Sequence, residues 1–371
     1  MRYLVAPDKF KGSLSAAEVA GVVGSAIQSA DPTAEIELLP IADGGEGTAA
    51  LLAHHANAQR LAIETIDPIG RPIEAEYFVH GSEAIVEMSA SSGLWRVEAA
   101  QRLPLKSNTY GTGMILWHLI ESGIERILIG LGGSATVDAG LGMAAALGYR
   151  FQDERGRPVD PFPTRFSDIR SVTPPIMTRW PDVIGLADVE TRLTGPGGAI
   201  YTFGPQKGLG PAEVRQLDSD LQALVKRLEH DLGSNFSDSI SSGAAGGFGY
   251  GIQTFLKGRL VSGFQVVAER LGLAERMQKA DVVITGEGKI DSQSLQGKGP
   301  IGVATIARKL NKAIWAVAAI IEDRDLVSPH FQKLTALVSG KTSIAEALAQ
   351  PEALLFQRTR ELVLARENPS L

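Results

Sequence analysis

The hydrophobic pattern at the start of the chain predicts a β-α-β unit. Residues 3–6 form a short apolar run, and Ser15 with Glu18 is a capping box ahead of apolar positions at helical spacing. A second apolar run at residues 36–39 predicts another strand, and the glycine-rich segment 43–47 then leads into a further helix. This alternation is typical of a parallel α/β sheet.

The pattern changes in the middle of the chain. Between about residues 63 and 86, apolar and polar positions alternate around turn-forming residues, which indicates hairpins. The strand-helix rhythm returns with a helix at 113–122, a strand at 126–129 and a small-residue helix at 139–147. A long amphipathic helix follows, and its leucine stripe from 217 to 232 predicts a core-facing surface.

The end of the chain repeats the rhythm of its first 60 residues. A strand at 282–284 runs into a predicted loop at 286–288, followed by a helix at 300–310, a strand at 313–319 and a last strand near 334–338. We therefore predict a discontinuous α/β domain formed by residues 1–62 plus 280–371, with residues 63–279 inserted as a second α/β domain. Ligands commonly bind at domain interfaces, so we expect the active site in the cleft between the two.

Composition narrows the function classes. A chain of 371 residues exceeds the ~250–300 at which single cores stop growing, in agreement with two domains. The net charge of −6 and the absence of a basic run argue against a nucleic-acid partner. With no cysteine, thiolate chemistry and cysteine-held metals are excluded, so oxygen atoms would hold any metal.

The apolar segments of the chain indicate neither a membrane protein nor a secreted one. The longest apolar run, residues 313–321, is far shorter than the ~18 residues of a membrane span. The apolar stretch at the N-terminus is too short for a secretion signal and is followed at once by charge. We expect a cytoplasmic protein with no membrane partner.

Four glycine- and acid-bearing segments are predicted at strand ends, where open α/β sheets bind ligands. The first carries Asp8, Lys9 and Lys11, whose ammonium groups, together with backbone N–H groups, could bind a phosphate or carboxylate. The second begins at Asp43 and contains Glu46 among three glycines. Either segment alone could also be an ordinary solvated strand-to-helix loop.

The third and fourth segments follow later strands. The third, residues 130–138, could bind phosphate through its amides, Ser134 and Thr136. It also approaches a nucleophile elbow, but Thr136 stands where G-x-S-x-G needs glycine, so a serine hydrolase is the weaker interpretation. The fourth, residues 285–293, contains Glu287 and Asp291, and no P-loop motif occurs in the chain. Four such segments together favour phosphoryl transfer.

Taken together, these segments resemble the type I glycerate kinase family over nearly the whole chain. The resemblance is carried by several short motifs in order. They are Asp8-Lys9-Phe10-Lys11-Gly12-Ser13, Pro40-Ile41-Ala42-Asp43-Gly44-Gly45-Glu46-Gly47-Thr48, Tyr110-Gly111-Thr112-Gly113, Gly132-Gly133-Ser134-Ala135-Thr136, Phe203-Gly204-Pro205-Gln206-Lys207-Gly208 and Ile284-Thr285-Gly286-Glu287-Gly288.

This resemblance implies ATP-dependent phosphorylation of D-glycerate with Mg²⁺, and favours 2-phosphoglycerate over 3-phosphoglycerate as the product. It also implies two α/β domains, of which the discontinuous one has a flavodoxin/Rossmann-like parallel sheet and the inserted one is mixed. A homodimer would be unsurprising. The competing class is a non-catalytic sensor that binds a hydroxy acid or nucleotide in the same cleft.

We hypothesise roles for individual residues on this basis. Either Asp188 or Asp138 would orient the attacking hydroxyl group, and the choice between them stays open. The catalytic candidates are Asp8, Lys9, Lys11, Asp43, Asp138 and Asp188. The candidates for binding ATP are Gly132, Gly133, Ser134, Thr136, Gly286, Gly288 and Lys298. The candidates for holding Mg²⁺ are Asp43, Glu46, Glu287 and Asp291.

Two places depart from the family pattern. Val137 and Ala139 flank Asp138 where asparagine and glycine would be usual. After Asp188, Thr191 and Arg192 stand where the family has asparagine and proline. Both aspartates remain, but two amide side chains are lost, so we expect altered hydrogen bonding near the substrate.

Overall fold

A computed structural model describes residues 1–176, 179–296, 299–340 and 342–365 of the chain. The strands are β1 (Arg2–Val5), β2 (Glu35–Leu38), β3 (Gln59–Ile66), β4 (Pro72–His80), β5 (Glu83–Glu87), β6 (Arg126–Gly130), β7 (Arg150–Gln152), β8 (Ser171–Thr173), β9 (Asp182–Leu186), β10 (Arg259–Val261), β11 (Val282–Ile290), β12 (Ala313–Ile321) and β13 (Lys333–Ala336). The α-helices are α1 (Ala16–Ala30), α2 (Thr48–Ala56), α3 (Ser89–Ser92), α4 (Tyr110–Glu121), α5 (Leu141–Ala146), α6 (Ala199–Lys207), α7 (Pro211–Leu232), α8 (Ala244–Phe255), α9 (Gly263–Arg270), α10 (Leu273–Lys279), α11 (Gly299–Lys309), α12 (Arg324–Val327), α13 (Ile344–Ala349) and α14 (Pro351–Leu364).

The chain divides into two compact units. The first unit consists of Met1–Asp43 together with the chain from Phe264 onward, and the second unit is Gly44–Gly263. These divisions differ from the expected boundaries at residues 62 and 280. The reason lies in two helices, because α2 packs on β4 and β5 of the second unit, whereas α10 packs on β1 and α11 of the first.

The first unit contains a five-stranded sheet in the order β13-β12-β11-β1-β2. Every neighbouring pair in it is parallel. Counted along this unit alone, the order is 2-1-3-4-5, which is that of flavodoxin-like folds. The predicted discontinuous parallel-sheet domain is therefore confirmed.

The core of the first unit forms because its central strands are apolar and its first helix is well capped. Tyr3, Val5 and Val317 are buried in one hydrophobic cluster. At the start of α1, the backbone N–H of Ser15 donates to Glu18 at 2.7 Å, and the backbone N–H of Glu18 donates to the Ser15 hydroxyl at 3.3 Å. This is the predicted capping box, and it directs the chain from β1 into the helix.

The second unit contains a six-stranded mixed sheet in the order β10-β9-β6-β5-β4-β3. The pairs from β10 to β5 are parallel, and the pairs β5-β4 and β4-β3 are antiparallel, as the alternating sequence predicts. Helix α7 buries the predicted stripe, including Leu217, Leu221 and Leu228. The second unit is thus the expected mixed α/β domain.

No helix within the described ranges is long and apolar enough to cross a membrane.

Candidate active site

The first functional segment lies where β1 ends, alongside β11. The backbone N–H of Asp8 donates to the carbonyl of Gly286 at 2.8 Å, which ties the segment after β1 to β11. Residues 10–14 then close on themselves, because Phe10 and Leu14 exchange backbone hydrogen bonds at 2.8 and 3.0 Å. From β1, the next strand β2 is added on one side of the sheet, and the later strands β11, β12 and β13 are added on the other side. Such a switch point is where doubly wound sheets bind ligands.

The segment containing Gly286 and Gly288 is strand and not the predicted loop. Strand β11 continues to Ile290, because it stays paired with β12 up to the Ile290–Ile321 pair. Gly286 allows this pairing, since a Cβ there would lie 2.1 Å from the carbonyl oxygen of Val317. Gly286 therefore has a packing role in the sheet, whereas Gly288 lies beside Phe10 and Lys11.

A cavity of about 350 Å³ lies at this end of the sheet, and we call it the acid–lysine cavity. All of its lining residues belong to the first unit. The lining residues are Asp8, Lys9, Phe10, Lys11, Ser13, Asp43, Glu287, Gly288, Lys289, Ala319, Ile320, Leu337, Val338, Ile344, Ala347, Leu348 and Pro351. The cavity thus brings Asp8, Lys9 and Lys11 of the first segment together with Asp43 and with Glu287 and Gly288 of the fourth, whereas Gly286 and Asp291 do not line it.

Glu287 is the most perturbed acid of this cavity. The pKa of Glu287 is raised to about 8, chiefly by burial and also by the nearby carboxylates of Asp8, Asp43 and Asp291, while a hydrogen bond from Ser294 opposes the shift. The Ser294 hydroxyl donates to Glu287 at 2.8 Å. A strongly shifted carboxyl group in a cavity is a feature of functional sites.

Lysines balance these acids. The ammonium group of Lys9 lies 3.8 Å from the carboxylate of Asp43. Lys289 is paired with Asp291 at 3.1 Å and with Glu322 at 2.8 Å, and these bonds raise the pKa of Lys289. The cavity therefore presents both signs of charge, which suits a ligand that carries phosphates and a metal ion.

The second unit brings together the other two predicted segments. A Cβ on Gly132 would lie 2.5 Å from the Cα of Gly45, so the two glycine loops touch. Glu87, at the end of β5, accepts a hydrogen bond from the backbone N–H of Ala49 at 3.0 Å, and burial raises its pKa. Glu46 lies close enough to Glu87 to add to that shift. A cavity of about 320 Å³ opens beside these two acids.

A buried lysine holds the third predicted segment. The ammonium group of Lys207 donates to the Ser134 hydroxyl and to the carbonyl of Thr136, both at 2.6 Å. Lys207 is 2% exposed, and burial lowers its pKa to about 7, against the opposing effect of Asp138. We call residues Gly132–Thr136 with Lys207 the lysine-held loop.

The backbone near the start of α8 is kinked beside this lysine. Ala245, Gly246 and Gly247 adopt left-handed conformations at a kink near the start of α8. A Cβ on Gly246 would lie 2.0 Å from the Thr136 carbonyl oxygen and 2.9 Å from the Lys207 nitrogen. Only glycine fits this position, so the distortion and the lysine-held loop belong to one arrangement.

The two candidate orienting aspartates differ in their surroundings. Asp138 is buried, and its carboxylate accepts hydrogen bonds from the backbone and side chain of Thr109 and from the backbone of Gly140 and Gly142. Burial raises the pKa of Asp138, and these hydrogen bonds oppose the rise. Asp188 is only partly buried and accepts a hydrogen bond from the Ser262 hydroxyl at 2.8 Å. The carboxylate of Asp138 thus links Thr109, at the start of α4, to the third segment.

Three polar residues of these sites were not among the predicted ones. Glu87 is a strand-end acid like Asp43, and the same rule could have found it, but the alternating pattern around it indicated a hairpin. Lys207 lies within a family motif without a sequence sign that it is buried. Ser294 stands three residues after Asp291, and only the fold turns its hydroxyl toward Glu287. Lys298, a predicted phosphate contact, lies outside the described residues.

No group of three or more metal-ligating side chains stands ready for an ion within the described ranges. The candidate acids are nevertheless grouped, because Asp43 and Glu287 both line the acid–lysine cavity and Asp291 is near Glu287. Glu46 belongs to the second unit and lies near Glu87. Carboxylate oxygens are the ligands that Mg²⁺ prefers, so the donor chemistry of the first group fits this ion.

Comparisons with known proteins agree across the whole chain. A sequence model of the glycerate kinase family matches residues 3–366. The chain is 36% identical to glycerate kinase of Bacillus subtilis (strain 168) in an alignment of 378 positions that covers 98% of this chain and 97% of the relative. It is 39% identical to glycerate 2-kinase of Escherichia coli (strain K12) over 353 residues, which cover 93% and 91%.

The structural comparison gives the same result. The fold is similar to the crystal structure of a protein provisionally assigned as glycerate kinase 2 from Salmonella typhimurium LT2. The match has a TM-score of 0.82 and 35% identity, and covers 99% of this chain and 98% of that one. The chain belongs to the glycerate kinase family and is a kinase.

Proposed function

We propose that the protein transfers the γ-phosphoryl group of ATP to the 2-hydroxyl group of D-glycerate. The observation that carries this proposal is the acid–lysine cavity, which joins Asp8, Lys9, Asp43 and Glu287 at the switch point of a parallel sheet. The 2-position is supported by the relative from Escherichia coli, whose name is glycerate 2-kinase.

The lysines of the cavity supply the positive charge that phosphates require. Lys9 is partly buried beside Asp43, and Lys11 is exposed at the tip of the same segment. Ammonium groups bind phosphate oxygens by charge-assisted hydrogen bonds, which are about twice as strong as neutral ones. We assign Lys9 and Lys11 to the phosphates of ATP.

Mg²⁺ is usually held in kinases by one or two carboxylates together with the substrate phosphates. We propose Asp43 and Glu287 as those carboxylates, with Asp291 supporting Glu287. A bound cation would favour the ionised form of Glu287 and so lower its pKa from about 8. When bound, Mg²⁺ neutralises charge on the phosphate oxygens during transfer.

We propose Asp188 as the carboxylate that receives the proton of the acceptor hydroxyl group. Asp138 is less suited, because its carboxylate already accepts hydrogen bonds from Thr109, Gly140 and Gly142 in a buried site. The hydroxyl oxygen forms a bond to the γ-phosphorus while the bond to the bridging oxygen breaks. ADP leaves with that electron pair, and the hydroxyl proton passes to Asp188.

A coupled assay of ADP formation tests transfer against simple binding. We expect ADP release that requires both Mg²⁺ and D-glycerate. Calorimetric binding of D-glycerate and ATP with no ADP formed, in the presence of Mg²⁺, would instead identify a sensor.

The ³¹P spectrum of the product tests the position of transfer. The phosphorus of 2-phosphoglycerate couples to one proton, on C2, whereas that of 3-phosphoglycerate couples to two protons, on C3. We expect a doublet, and a triplet would show that the 3-hydroxyl group is the acceptor.

A further inference from the structure

The acid–lysine cavity has two chemically distinct halves. Its polar half lies at the ends of β1 and β11, where the acids and lysines are. Its other half lies at the ends of β12 and β13 and against α13. The side chains of this apolar half are Ala319, Ile320, Leu337, Val338, Ile344, Ala347, Leu348 and Pro351. We call this set the apolar wall.

The apolar wall is built partly from side chains that lie at the surface. Ile344 and Leu348 are 54% and 60% exposed, and they are one helical turn apart on α13. Leu337 and Ala347 are buried behind them. Single exposed leucines are common on proteins, but a pair that continues a buried apolar surface into a cavity is typical of a ligand pocket.

Glycerate does not explain this wall. It has a carboxylate and two hydroxyl groups on three carbons, so every part of it needs polar partners. The phosphates of a nucleotide need polar partners too, and Lys9 and Lys11 are at the opposite half of the cavity. At about 350 Å³, the cavity falls within the ~300–1,000 Å³ range of pockets that accept drug-sized ligands. It has space for a flat aromatic group in addition to phosphates.

We propose that the apolar wall binds the purine base of the nucleotide, with the phosphates directed toward Lys9 and Lys11. This inference rests on the proposed function for the nature of the phosphoryl donor. The base lies against α13 and the ends of β12 and β13, and the triphosphate follows the strand ends toward β11 and β1. The two ends of the ligand thus match the two halves of the cavity in chemistry and in order along the sheet.

The test is a double substitution, Ile344→Ser with Leu348→Ser, with Leu326→Ser as the matched control. Leu326 is 56% exposed on α12 and does not line the cavity. Binding of ATP, adenosine and inorganic tripolyphosphate is measured by calorimetry, and the KM values for ATP and D-glycerate by the ADP assay. Thermal unfolding midpoints identify any variant that is not folded.

The double variant is expected to bind ATP and adenosine about tenfold more weakly, because apolar surface of two side chains no longer covers the base. Tripolyphosphate binding and the KM for D-glycerate stay unchanged, and the Leu326→Ser control behaves as the natural protein. Unchanged adenosine and ATP affinity in the folded double variant would overturn the inference. Equal weakening of tripolyphosphate would also overturn it, since the wall would then act on the phosphates.

These measurements distinguish a wrong reaction from a wrong base site. If the natural protein forms no ADP with D-glycerate, yet the double variant alone loses adenosine affinity, the base site stands and the reaction is wrong. If ADP forms and the double variant keeps its KM for ATP, the reaction stands and the base site is wrong.

Discussion

The two units each group acidic residues with lysines but use them differently. In the first unit, Asp8, Asp43 and Glu287 line a cavity that a ligand can enter. In the second unit, Asp138 and Lys207 are buried, and the protein itself supplies their hydrogen-bond partners. Acids and lysines can thus build either a binding site or an internal support. Access to a cavity distinguishes the two, because Asp8 is itself buried and accepts a hydrogen bond from the backbone of Lys9 yet lines the acid–lysine cavity.

Removing a carboxylate charge from the acid–lysine cavity should have the largest effect on activity. Asp43→Asn and Glu287→Gln should each lower kcat on the order of 10²-fold or more, because each loses a group assigned to Mg²⁺. The measurement is ADP release at saturating substrates. Asp325→Asn, at an exposed acid of α12, is the control and should change nothing. Near-normal turnover of both cavity variants would rule out the metal assignment.

A substitution at the contact between Gly132 and Gly45 should lower the free energy of unfolding. Gly132→Ala places a methyl group 2.5 Å from the Cα of Gly45 and should destabilise the protein by ~1–3 kcal/mol. Denaturant unfolding measures this change. Gly21→Ala is the matched control, because nothing lies within 4 Å of that Cβ and alanine suits the helix α1. Equal stability of the two variants would contradict the tight contact between the glycine loops.

Lys207 should make the stability of the protein depend on alkaline pH. Its pKa is about 7 when folded and 10.5 when unfolded, so between these values the unfolded chain binds more protons. The contribution of Lys207 to stability therefore rises with pH in this window, on the order of 2 kcal/mol between pH 7 and 9, whereas Glu287, whose pKa is raised in the folded protein, gives the opposite slope up to about pH 8. The Lys207→Met variant should lack this rise, although it also loses two hydrogen bonds at every pH.

Urea unfolding of both proteins from pH 6 to pH 9 measures the difference in slope. Parallel pH profiles would show that Lys207 keeps an ordinary pKa in the folded protein. The lysine-held loop would then be less well shielded from water than its geometry indicates.

The smallest expected effect is that of a single lysine in the acid–lysine cavity. Lys9→Met should raise the KM for ATP about tenfold, because one charge-assisted hydrogen bond to phosphate is lost. Lys309→Met, at an exposed position near the end of α11, is the control. If the KM for D-glycerate rises and that for ATP does not, Lys9 binds the acceptor substrate.

Local patterns predicted the elements of the first unit well. The capping box at Ser15 and the strand-end positions of Asp8 and Asp43 follow from neighbours in sequence, and the structure has them. The predicted loop at Gly286 was wrong, because pairing with β12 extends the strand. The placement of the active site between the two domains and the homodimer stay predictions.

Sequence patterns were sufficient to identify the class of the fold, the family and the segments that carry chemistry. All three depend on the spacing of apolar, glycine and acidic residues that are close together in the sequence, so they can be read without the fold. The pKa of Glu287 raised to about 8, the burial of Lys207 against the Gly132–Thr136 segment and the place of α13 in the cavity wall follow from the folded structure alone. The physical reason is that burial and hydrogen bonding depend on residues far apart in the chain, such as Ser134 and Lys207.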